Sequence, residues 1–202
     1  MSESTVETRD RADPPDGAGT IPGEPGLWVF LLGDMVIFAV MFVAFLTERA
    51  DDAAAFAADR ASVDLTIGLT NTMVLLVSSL LVVLALNAVR AGRFGSGSWY
   101  FAAGMGCAVL FTALKAVEYT HLISSGHGPD TGPYFMWLFI LTGVHLFHVV
   151  LGIAVLAVLC LRARRRLSSE GPRRVFYEGG ACYWHLVDLL WMVLFPLVYL
   201  VA

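Results

Sequence analysis

The sequence predicts an all-α integral membrane protein, a bundle of five transmembrane helices with its N-terminus in the cytoplasm and its C-terminus outside. Three observations point there. Of 202 residues, 57% are hydrophobic and only 15% charged, and a mean hydropathy of +0.72 exceeds what a soluble core of this length needs. Five apolar runs are each long enough to cross a hydrocarbon layer of roughly 30 Å at about 1.5 Å per residue. The arginines gather on one side of those runs. Three cysteines, Cys107, Cys160 and Cys182, fall in separate runs without CxxC spacing and read as small hydrophobes.

Residues 1–25 carry Ser, Thr, Asp, Glu, Gly and Pro with almost no large apolar side chain, which predicts a disordered polar tail. Glu3, Glu7, Asp10, Asp13 and Asp16 contradict the basic start of a signal peptide, so the first helix is expected to act as its own insertion signal. The remainder, residues 26–202, reads as one membrane domain.

The spans run, within a few residues, over Gly26–Thr47, Thr66–Val89, Trp99–Ile123, Pro133–Leu161 and Ala181–Val201. The N-terminal side carries Arg9, Arg11, Arg90, Arg93, Arg162, Arg164, Arg165, Arg166, Arg173 and Arg174, against Arg49 and Arg60 on the other. The positive-inside rule therefore makes the first side cytoplasmic. The acidic, Ala-rich stretch from Glu48 to Leu65 would face outward, as a helical extension with a solvated surface in preference to a docking site for a basic partner. Gly and Ser over 92–98 predict a tight cytoplasmic turn, and Gly126-His127-Gly128-Pro129 an external one. Trp28, Trp99, Tyr134, Trp137 and Trp184 fall near the expected interfaces, as membrane anchors do.

Within the spans stand Asp34, Lys115, Glu118, His121, His145, His148, His185 and Asp188. A charge at the centre of a bilayer costs roughly 3 kcal/mol on insertion scales, so each needs a partner or water. Counting about 1.5 Å per residue places Asp34 and Asp188 some 10–12 Å from the cytoplasmic ends and Lys115 and His145 about 24 Å in. Two polar layers are expected, one of Asp34, His185 and Asp188, the other of Lys115, Glu118, His145 and His148. Lys115 and Glu118, at i and i+3, can neutralise each other. These groups read first as packing glue between helices. A metal site or an axial pair of haem ligands built from His145, His148, His185 and Asp188 is disfavoured, because depth separates His145 from His185 by about 10 Å. No cofactor is expected to be bound by this chain. A proton relay through this chain alone would need groups between the layers, where only hydroxyls such as Ser78 and Thr112 stand, which disfavours an independent transporter.

Four motifs occur in order, one per helix: Gly26-Leu27-Trp28-Val29-Phe30-Leu31-Leu32-Gly33-Asp34-Met35; Lys115-Ala116-Val117-Glu118-Tyr119; Thr142-Gly143-Val144-His145-Leu146-Phe147-His148-Val149; and Tyr183-Trp184-His185-Leu186-Val187-Asp188-Leu189-Leu190-Trp191. Together they resemble subunit III of the haem-copper oxidases, in its short five-helix bacterial form. Pro22-Gly23-Glu24-Pro25-Gly26 and the Gly33-Asp34 pair make the resemblance closest to the subunit III-like proteins associated with nitric oxide reductase. The resemblance implies a non-catalytic subunit in a bacterial inner membrane, with catalytic subunit I and a subunit II as partners and with haem and copper in subunit I. It implies support of assembly, stability and proton supply. It also makes Asp34 the counterpart, one methylene shorter, of the family's buried glutamate.

Overall fold

The computed structural model describes residues 25–165 and 172–201. The expected tail lies outside these up to residue 24, and nothing is described of the side chains of Arg166, Arg173 and Arg174. Among the described residues the chain forms α1 (Pro25–Asp51), α2 (Ala53–Arg60), α3 (Leu65–Arg90), α4 (Phe94–Ser124), α5 (Pro133–Arg164) and α6 (Pro172–Pro196), which closes in a π-helical segment, Leu197–Val201. Five of these helices are long and apolar enough to span a membrane, α6 the most enclosed and α1 the least. The chain is a multi-pass membrane protein. Contacts between α3 and α4, α4 and α5, and α6 with α3 and α5 build the body of the bundle, and α1 lies against α5 and α6.

The acidic stretch after α1 is helical and mostly exposed, as expected, but it does not continue α1. It folds as the separate short helix α2, because Asp52 caps it by accepting from the Ala55 amide at 3.1 Å, and Asp64 caps α3 through the Thr66 amide at 2.8 Å. Two of its carboxylates are thus spent on helix ends. Phe56 of α2 is 2% exposed, set between Phe45 and Tyr134 with ring centroids 5.8 and 5.9 Å away. The helix is a cover on the bundle.

Glycine clusters mislead where packing is tight. The turn before α4 needs only Gly92, whose φ of +73° L side chains rarely adopt. The remaining Gly and Ser residues of 92–98 fall in the first turns of α4, five residues earlier than the sequence predicts. Here Gly97 lets α3 approach so closely that a Cβ would lie 2.6 Å from Val89 Cγ2. Likewise α6 begins at Pro172 and runs through Gly179-Gly180, where a Cβ on Gly180 would sit 3.0 Å from Leu159 Cδ1. The sequence-based start at Ala181 is corrected for the same reason: small residues here mark close helix contact. Two expected anchors are core residues. Trp184 is wholly buried with its ring over Gly152, and Tyr134 is equally buried, whereas Trp28 and Trp99 are exposed as anchors should be.

Candidate functional site

Among the described residues, ionisable side chains of the spans gather in three clusters, and they are not the two expected layers. The first joins α4 to the π-helical segment. Lys115 Nζ donates to Glu118 Oε2 at 3.0 Å and to the Tyr199 hydroxyl at 2.5 Å, and that hydroxyl donates to Glu118 Oε1 at 2.5 Å. The two charged side chains are only 1% and 3% exposed. The ammonium also stands 5.1 Å from the ring centroids of both Trp191 and Tyr199, so its charge meets aromatic faces where it lacks a carboxylate. From the loop side, Arg60 Nη1 caps the Tyr199 carbonyl at 2.9 Å.

The second cluster crosses the expected layers. Asp34 of α1 meets His148 of α5, Oδ1 to Nε2, at 3.0 Å. Across the ring, His148 Nδ1 lies 2.7 Å from the Val144 carbonyl, which can only accept, so Nδ1 carries a proton and Nε2 is the nitrogen that shares one with Asp34. Asp34 is therefore separate from His185 and Asp188. Helix rotation decides this, since Asp34 faces α5 and not the face of α6 that carries the other two.

The third cluster lies at the seam between α3 and α6. His185 Nδ1 is 2.7 Å from Ser79 Oγ, and Asp188 stands beside both. Asp188 is buried, but His185, expected inside, is partly exposed. Spacing brought His185 and Asp188 to one side of α6, and a serine of α3 completes the group.

His145 joins none of the three. It is fully buried between the rings of Phe111 and Trp191, with centroids 5.8 and 5.2 Å away, and neither ring nitrogen has a hydrogen bond among the described residues. Asn71, which the sequence reading passed over, is buried and equally unsatisfied. Trp191 Nε1 donates to Thr72 Oγ1 at 3.0 Å. The hydroxyls considered as links between layers are used locally: Ser78 donates to the Gly104 carbonyl and Thr112 to that of Ala108, at 2.8 and 3.0 Å. His121 sits exposed near the end of α4. Tyr199 and Ser79 are the residues that sequence reasoning missed. A tyrosine in the last turns of an apolar run reads as an anchor, and a serine in a helix reads as packing, so neither carried a signal of its own.

Among the described residues no three His, Cys, Asp or Glu side chains gather at metal-binding spacing. What the clusters can do is hold charge in pairs, and Asp34 with His148 can hold one proton between two atoms.

Residues 21–202 match a family model described as cytochrome c oxidase subunit III. The chain belongs to that family. Among its relatives, a cytochrome c oxidase subunit 3 of Alkalihalophilus pseudofirmus is 31% identical over 88% of this chain and 85% of its own length. A probable quinol oxidase subunit 3 of Staphylococcus haemolyticus is 27% identical over 88% of each chain. A haem-copper oxidase subunit I+III of Aeropyrum pernix is 28% identical over 87% of this chain, which matches 22% of that longer protein. As a subunit III, this chain is an accessory subunit of the haem-copper oxidase class.

Proposed function

We propose that the chain is the non-catalytic third subunit of a bacterial respiratory oxidase, which stabilises the catalytic subunit in the inner membrane and supports its proton supply. The observation that carries this reading is the family match across the whole membrane domain. The Aeropyrum relative, named for subunits I and III together, supports a catalytic subunit I as the direct partner. A subunit II completes the expected assembly, and haem and copper belong to the partner. The N-terminus lies in the cytoplasm, as the arginine distribution favours.

The Asp34–His148 pair is the residue-level basis for the proton role. With Nδ1 held by Val144, one proton moves between Nε2 and Oδ1 without a change in the net charge of the pair. Such a pair takes up a proton from one neighbour and passes one on, with little motion of either side chain. Asp34 Oδ2, buried and without a hydrogen bond among the described residues, is the acceptor that remains for that neighbour. A second reading, an accessory subunit of nitric oxide reductase, is favoured by Pro22-Gly23-Glu24-Pro25-Gly26 and the Gly33-Asp34 pair.

Purification in mild detergent through a tag on this chain tests the proposal. A haem-containing partner with oxidase activity should co-purify. A colourless chain recovered alone from cells that express the oxidase would overturn it, and a partner that reduces nitric oxide would select the second reading.

A further inference from the structure

Of the ionisable side chains well inside the spans, Asp34, Lys115, Glu118, His145, His148 and Asp188 are at most 9% exposed, whereas His185 is partly exposed. It lies about 14 Å along the helix axis from Phe176, where the last apolar span begins. At that depth the surface of the bundle meets either acyl chains or another protein.

The chemistry of the seam points to protein. Ser79 Oγ lies 2.7 Å from His185 Nδ1, so the seam itself engages that ring nitrogen. Nε2 then points away from Ser79, and among the described residues it makes no hydrogen bond. Acyl chains offer it none, and ionisable groups within a membrane ordinarily face protein or water. The surroundings are otherwise apolar. On α6, Cys182, Leu189 and Met192 continue the stripe of His185 at helical spacing. On α3, Leu76 and Val83 flank Ser79 and are 41% and 40% exposed, and Leu189 is 50% exposed.

We propose that this seam, centred on Ser79, His185 and Asp188, docks a transmembrane helix of the catalytic subunit, which presents a hydroxyl or amide side chain to His185 Nε2. The occupant is a helix because only a segment that satisfies its own backbone can lie here. The single polar point on an apolar stripe sets its register. The inference rests on the oxidase-subunit reading above.

The test uses the complex expressed whole, with a benzophenone amino acid placed at Leu189 and, on the α5 surface, at Val150, which is 51% exposed. Irradiation should join this chain to the haem-bearing subunit from position 189 and not from 150. His185→Leu should lower the haem partner recovered through a tag by about threefold to tenfold, the range expected for one interhelical hydrogen bond in a membrane, and Leu189→Trp should lower it by crowding the seam. Adducts from 189 with lipid alone or with a second copy of this chain would overturn the proposal, as would undiminished recovery in both variants. If wild-type chain brings down no haem subunit, the oxidase reading fails. If it does and position 189 gives no adduct with that subunit, only the docking face fails.

Discussion

The Tyr199 hydroxyl accepts from Lys115 Nζ at 2.5 Å, so a residue in the final π-helical segment holds a cation of α4 that spacing had paired with Glu118 alone. The phenol completes the ion pair, because its O–H donates to Glu118 Oε1 at 2.5 Å. Tyr199→Phe should therefore lower stability by about 1–3 kcal/mol, the range for leaving buried polar partners unsatisfied. Lys115→Met should cost more, about 3–5 kcal/mol, because a buried carboxylate is left uncompensated. Adding Glu118→Leu to Lys115→Met should recover most of that loss. Thermal unfolding in detergent checks the series. A double variant less stable than Lys115→Met would show that the charges do not act as a pair.

Asp34→Asn keeps the shape of the Asp34–His148 contact but removes its capacity to exchange a proton. The assembled complex should form in normal amount and turn over more slowly. Oxygen consumption per haem and proton uptake by vesicles holding the complex measure this. Unchanged rates in both would remove the proton role from the pair.

Asp188→Ala should act in the opposite sense. It removes the buried carboxyl group that faces Ser79 and His185 at the α3–α6 seam. The amount of complex recovered should fall further than turnover per remaining complex. Normal assembly with lost turnover would place this cluster in the chemistry.

Gly152→Val should disrupt the bundle, because even a Cβ there lies 2.6 Å from two ring atoms of the wholly buried Trp184. Overpacking of this kind costs about 1–3 kcal/mol or more. Gly106→Val is the control, since open space surrounds that position. Expression and melting temperature should fall for the first and stay close to wild type for the second.

Much of the architecture was legible in one dimension. Apolar run length predicted the five spans, and a local i, i+3 spacing predicted the Lys115–Glu118 contact. The failures share a cause. Gly179-Gly180 and Gly97 resemble breakers when read along the chain, but they lie inside helices where the missing side chain admits a neighbour. Tyr134 and Trp184 had the residue type and depth of anchors, yet each turns into the core.

By itself the sequence determined the number of membrane spans, the set of ionisable side chains committed to them, and the family. These follow from hydropathy, length and motif order, which are properties of the chain taken locally. Only the tertiary structure decided who meets whom: Asp34 with His148 and not Asp188, Tyr199 with Lys115 and Glu118, Ser79 between His185 and Asp188. A depth count fixes one coordinate of a side chain. Partnership also needs the rotation of each helix about its axis, and that is set by close contacts such as Gly152 beneath Trp184 and Gly97 against Val89.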